Sequence, residues 1–220
     1  GKMGDVFAEL EGSEKKVVCV SDGIEEERLI VNDGIPDPHI WFDVSLWKEA
    51  AEEVKKGICE IDPKNSEYYE DRLKAYLDEL DALNEYVKDR VCEIPEDKRV
   101  LITAHDAFGY FGKAYGFEVK GLQGISTVSE AGAADVRILA DFIADNGIKA
   151  VFVESSLPVK NIEALIEAVK ARGFETALGG SLYSDSIGDE KSQTDTYISS
   201  FKHNIDTIVG GLSQSTENYT

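Results

Sequence analysis

The residues best suited to chemistry stand where apolar runs end. In "VLITAHDAFGYFG" His105 and Asp106 follow an apolar stretch directly, and "DPHIWFD" holds His39 between a proline turn and a helix start. Glu154–Ser155 and Ser184–Asp185 close two further runs. Two imidazoles with one or two carboxylates, gathered from distant loops, make a divalent-metal site. Spacing alone is a weak signal, because no compact motif joins His39, His105 and Asp185. Each of them, taken singly, reads more readily as a loop residue satisfied by water. His203, inside "FKHNIDTIV", reads as a structural histidine bonded to a neighbour. The aromatic residues Phe108, Tyr110, Phe111 and Tyr115 recur at helical spacing and read as core.

Bond-making machinery is missing from the sequence. There is no G-x-S-x-G, no H-E-x-x-H, no P-loop and no G-x-G-x-x-G after a strand. "LGGSL" has glycines but no phosphate-loop lysine, and no cysteine neighbours a histidine as a nucleophile requires. The constellation can hold a cation, and nothing beside it is arranged to transform one.

The elements that must position these residues follow from hydrophobic period and punctuation. A helix is predicted over 2–10 and a strand over 15–22, with Cys19 as a buried strand residue. A polar connection rich in turn formers spans 22–39. Asp43 caps a helix with Leu46, Trp47, Ala50, Ala51, Val54 and Ile58 at helical spacing. "DPKNS" breaks it and supplies a fresh cap. One long helix then runs from Ser66 to about Cys92, with Tyr69, Leu73, Tyr76, Leu77, Leu80, Leu83, Val87 and Val91 on one stripe and charge elsewhere. Strands predicted over 100–104, 117–123, 150–155 and 175–183 alternate with helices over 108–115, 129–146, 159–172 and 194–212. Such alternation implies an α/β fold with a mainly parallel sheet, helices on both faces and right-handed crossovers. Ligands of such sheets bind beyond the carboxyl ends of the strands, so His105 and Asp185 are expected on the same edge of one sheet.

Composition bounds the partners. The 220 residues suffice for one large domain or two small lobes. With 23 basic and 43 acidic residues, net charge −20, no basic stripe is available to neutralise nucleic-acid phosphates. No apolar run approaches the ~20 residues of a membrane span. The three cysteines fit no zinc spacing. Cys59 and Cys92 flank opposite ends of the long helix, about 40 Å apart at 1.5 Å per residue, which argues against a disulfide between them. The opening "GKMGDVFAELEG" reads as the middle of a helix, with no signal peptide, so a segment ahead of Gly1 is expected.

Five ordered segments, "DPHIWFDVSLW", "TAHDAFGYFGKAYGFEVKGLQGIST", "VFVESSLPVKNIEAL", "LYSDSIGDE" and "HNIDTIVGGL", closely resemble the solute-binding proteins of zinc and manganese ABC importers, the TroA/ZnuA type. The resemblance runs from about Lys2 to Leu212. It implies two α/β lobes with mainly parallel sheets and flanking helices, joined by one long backbone helix, with a metal ion between them. The corresponding division here is 1–63 for a partial N-terminal lobe, 64–94 for the linking helix and 95–220 for the C-terminal lobe. By the same resemblance His39, His105 and Asp185 are metal ligands, a further histidine ligand would precede Gly1 together with most strands of the N-terminal lobe, and Glu154 and Ser155 stand behind the ligands. The cargo would be zinc or manganese, since the residues ahead of His39 include no His-rich loop of the zinc-specialised kind. The implied protein is no enzyme. It is a monomeric, exported or lipid-anchored binding component, in the periplasm or on the outer face of the cytoplasmic membrane, serving a membrane permease. A metal-dependent hydrolase, needing an open coordination position and a positioned base, is the rival reading. A surface adhesin is the third.

Overall fold

Asp43 is the residue that starts the first long helix. Its carboxylate accepts the Ser45 N–H at 2.8 Å and the Ser45 hydroxyl at 2.6 Å, satisfying a donor that a helix start leaves free. Helix α1 (Val44–Ile61) follows and buries Leu46 and Ala50. The computed structural model describes residues 16–32, 34–125 and 131–213. The helix expected over 2–10 lies outside them.

Asp62 caps α1, and a single 3-10 turn, Pro63–Asn65, leads into α2 (Ser66–Val91). The observed span matches the predicted long helix to within a residue. Its stripe is fully buried at Leu80, Leu83, Val87 and Val91, and half-buried towards the N-terminal end at Tyr69, Leu73, Tyr76 and Leu77. α2 packs along α1, where the Trp47 indole donates to the Tyr76 hydroxyl at 3.0 Å.

Ahead of α1 the chain forms a small antiparallel hairpin, β1 (Val31–Asn32) with β2 (Ile35–Pro36). Gly34 occupies its turn at φ +79°, a conformation glycine adopts without steric cost. The strand expected over 15–22 is not formed: residues 16–22 are coil and turn, and Cys19 is exposed rather than buried. A β-branched run needs a neighbouring strand to take its backbone donors and acceptors. Among the described residues no strand pairs with it.

From residue 100 the predicted alternation is realised. β3 (Val100–His105), α3 (Gly109–Tyr115), β4 (Glu118–Gln123), α4 (Ala133–Asn146), β5 (Ala150–Glu154), α5 (Lys160–Lys170), β6 (Ala177–Leu182) and α6 (Tyr197–Ser213) follow in order. β3 pairs with β4 and β5 with β6, both parallel, and β3 runs beside β5. The ladders are two two-stranded units rather than the single sheet expected. Strand residues alternate between two cores: Leu101, Ala150 and Phe152 face the aromatic core under α1, α2 and α6, while Ile102, Val151 and Val153 face the core under α4 and α5. Covered on both faces, β3 and β5 are fixed in place, and so are the residues at their ends.

Candidate metal centre

β3 ends on His105, which is fully buried. Four contacts hold it. Glu154, the last residue of β5, accepts the His105 backbone N–H through Oε1 at 2.8 Å and places Oε2 2.6 Å from the ring Nδ1. That second contact is bent away from a linear hydrogen bond, and among the described residues His105 Nε2 has no hydrogen-bonding partner. The Thr103 hydroxyl and the Ala107 N–H both donate to the His105 carbonyl. Glu154 is 1% exposed, so one carboxylate from β5 grips both the backbone and the ring of a residue on β3.

Gly121 of β4 makes this corner possible. A Cβ there would fall on the His105–Asp106 peptide, 2.5 Å from the His105 carbonyl carbon and nearer still to the Asp106 nitrogen. Asp106 donates its N–H to the Gln123 carbonyl at 3.0 Å. Burial and the nearby Asp37 charge raise its carboxyl pKa, against the pull of the two histidines. Its carboxylate stands outside the donor cluster described below.

His39 is held by the same device on a different segment. Asp37 Oδ1 accepts the His39 backbone N–H at 2.9 Å and meets the ring Nδ1 at 2.6 Å. Asp37 and His39 are both buried. The Asp37 carbonyl accepts from the Tyr110 hydroxyl at 3.2 Å, which in turn accepts the Ile30 N–H, so α3 braces this turn. The two imidazoles meet edge-on, ring centroids 5.4 Å apart.

Asp185 follows β6 by three residues and is the exposed member, its side chain 38% accessible. Its Oδ1 lies 3.5 Å from His39 Nε2 and 3.6 Å from His105 Nε2. One donor atom each from His39, His105 and Asp185 lies within 4.8 Å of the others. The three residues singled out in the sequence are thus brought together. Glu154 stands behind His105 as expected, while the Ser155 hydroxyl meets the Ser186 hydroxyl, 3.4 Å away, and among the described contacts meets neither histidine. Asp37 was not recognised in the sequence, although the signal was available: a carboxylate two residues ahead of a histidine, across a proline. His203 bonds the Ser181 carbonyl at 3.0 Å and the Thr207 hydroxyl at 3.4 Å, a structural role as expected.

The charges explain one another. Burial lowers the His105 pKa, but Asp185 and Glu154 outweigh it and push it up to about 9. At His39 burial is likewise outweighed by Asp185 and Asp37, and the pKa rises. The two histidines, His105 first, hold the Asp185 carboxyl well below the usual carboxylate range. With each Nδ1 facing a carboxylate, the neutral tautomer keeps its proton on Nδ1 and turns the Nε2 lone pair towards Asp185. Two imidazole nitrogens and a carboxylate oxygen converging on one point, each ring backed by a carboxylate, is the donor chemistry of a zinc or manganese site.

Comparison with known proteins bears on the same question. Residues 1–211 match the protein family described as zinc-uptake complex component A, periplasmic (ZnuA). The chain is 49% identical over 214 residues to the zinc-binding protein TroA of Treponema pallidum, an alignment covering 97% of the chain and 69% of that protein. It is 42% identical over 214 residues to the manganese-binding lipoprotein MntA of Bacillus subtilis, covering 96% of the chain and 70% of the relative. Among solved structures, the periplasmic zinc-binding protein TroA of Treponema pallidum superposes with a TM-score of 0.93 at 48% identity, covering 96% of the chain and 76% of that structure.

Proposed function

The chain belongs to the family of periplasmic zinc-uptake component A proteins, and from that premise we propose that it captures a zinc or manganese ion and delivers it to the permease of an ABC importer. It is a binding protein and not an enzyme. The relatives lend no support to the hydrolase or adhesin readings. The ion is cargo, held by His39 Nε2, His105 Nε2 and Asp185 between the segment ahead of α1 and the C-terminal strands. Glu154 and Asp37 fix the rings without touching the ion. Zinc in a closed protein site takes four ligands, so a donor besides these three completes the shell.

The finer assignments rest on the same family membership. The protein works outside the cytoplasm as a single copy, anchored to or released near the cytoplasmic membrane, with the permease as its partner. Its lobes divide as 1–63 and 95–220 about the helix within 64–94. The observation that carries the reading is the convergence of three donors from distant segments, two of them buried imidazoles with carboxylates at their backs. Titration of zinc and of manganese into parent protein and His105→Ala, in competition with a chelator of known affinity, tests it. His105→Ala should lose at least tenfold to a hundredfold in affinity, the cost typical of losing even a supporting group. Equal affinities would remove His105 from the site.

A further inference from the structure

Asp185 is the ligand with the least to hold it. Asp185, Ser186 and Ile187 are all exposed, and behind them opens a largely apolar cleft of about 400 Å³, bounded by Trp41, Phe42, Trp47 and Tyr197. Packing therefore does not fix this loop, and its hydrogen bonds decide where the carboxylate stands. On one side the loop is tied to its own half of the molecule: Asn204 of α6 exchanges two hydrogen bonds with the Tyr183 backbone, at 2.8 and 2.7 Å, and Ser184 meets the Ser156 hydroxyl at 3.1 Å. On the other side stands Trp41. Its indole N–H donates to the Ser184 carbonyl at 3.1 Å, one residue from Asp185. Its own carbonyl accepts from the Tyr197 hydroxyl at 2.7 Å, and its ring lies edge-on to His39 at 5.2 Å between centroids. Trp41 thus touches the His39 ring and the backbone beside Asp185 at once.

We propose that Trp41 is a positioning residue, a latch that holds the Asp185 loop against the His39 segment and so sets how long the metal ion stays bound. The inference rests on the metal-capture reading above. The latch acts on the ligand rather than on the ion, and it acts on release: an ion leaves when the exposed carboxylate swings away, and the indole hydrogen bond opposes that swing.

Trp41→Phe keeps an aromatic ring beside His39 and deletes the donor. Tyr197→Phe keeps the ring stacked on Trp47 and deletes the hydroxyl that fixes the Trp41 backbone. Release of zinc, and separately of manganese, into excess chelator should accelerate about threefold to tenfold in Trp41→Phe, the worth of one hydrogen bond. Tyr197→Phe should shift it the same way by less, association rates should stay at the parent value, and the melting temperature of the metal-free protein should fall by no more than about 2–4 °C. Because both changes act through one latch, the double variant should release little faster than Trp41→Phe alone. Multiplying effects would overturn the proposal, as would unchanged release in both single variants while the parent binds metal. Should Trp41→Phe fail to fold, the release rate of Tyr197→Phe decides alone. A parent that binds neither ion would instead sink the metal-capture reading, and the latch with it.

Discussion

Glu154→Gln is the sharpest test of how the centre is built. Glutamine has the shape of the carboxylate it replaces, so the buried corner between β5 and β3 stays filled. The carboxylate uses its two oxygens differently, Oε1 for the His105 backbone N–H at 2.8 Å and Oε2 beside Nδ1 at 2.6 Å. An amide has one acceptor, which must serve the backbone N–H, because a buried N–H left unpaired costs about 1–3 kcal/mol. The amide NH₂ then faces Nδ1 and drives the imidazole proton to Nε2, the atom aimed at Asp185 and the ion. The metal must displace that proton and has lost the supporting charge. Losing such a partner costs about 10–100-fold in affinity, or about 1.4–2.8 kcal/mol. Asp37→Asn should cost less, because Asp37 serves both His39 contacts through Oδ1 alone and an amide oxygen can take that place. Chelator-competition titrations of both variants, beside melts of the metal-free proteins, measure the difference. The reasoning is refuted if Glu154→Gln binds zinc as tightly as the parent, or if Asp37→Asn is the more damaging change.

Three further outcomes follow from the same geometry. Histidine must be neutral to ligate, and in the metal-free protein His105 titrates near 9 with His39 also raised, so protons compete at neutral pH. Zinc affinity should climb between pH 6 and 8, and a flat profile would contradict the cluster; in the metal-free protein the same shifts stabilise the fold fully below pH 6.5, and that contribution fades as pH rises through about 9. Gly121→Ala should displace the His105–Asp106 peptide, costing about 1–3 kcal/mol of stability and weakening metal binding, while Gly124→Ala, whose Cβ would meet nothing within 4 Å, should do neither; equal melts for the two would be decisive against this account. Leu80→Ala, fully buried on the inner face of α2, should lower stability by about 2–5 kcal/mol in denaturant titrations without changing metal affinity in the folded protein.

The C-terminal alternation was legible because β3 and β5 are short apolar runs, Gly116, Gly147 and Gly173 stand between helix and strand, and the helices keep a 3.6-residue stripe. Phe108, Tyr110, Phe111 and Tyr115 are core, as their spacing foretold. The stretch 15–22 misled for a physical reason: β-branched composition states a preference, and pairing needs a second strand. Val54 misled similarly, since helical spacing selects a face but not what covers it, and this residue is 44% exposed. His105 and Asp185 could be placed at strand ends from the alternation. Their meeting with His39 depended on the resemblance, because nothing local in "DPHIWFD" says which strand it faces. Trp41 escaped notice because its role is made of contacts across the fold, reaching Ser184 and Tyr197, whereas the Asp37 carboxylate acts on His39 two residues away and was legible in principle.

The three donors sit on three segments with most of the chain between them, and α2 lies between the first and the second. No single strand, helix or loop holds even two of them. Until β3 has docked beside β5 and the loop after β6 has come round to the segment ahead of α1, there is no pocket for an ion to find. Metal affinity is thus a property of the finished tertiary structure, and loading is linked to the final long-range contacts of folding. A chain still extended cannot bring the three donors to one ion. The wide scatter of the donors along the sequence makes the folded molecule, and no fragment short of it, the species that can present all three to one ion.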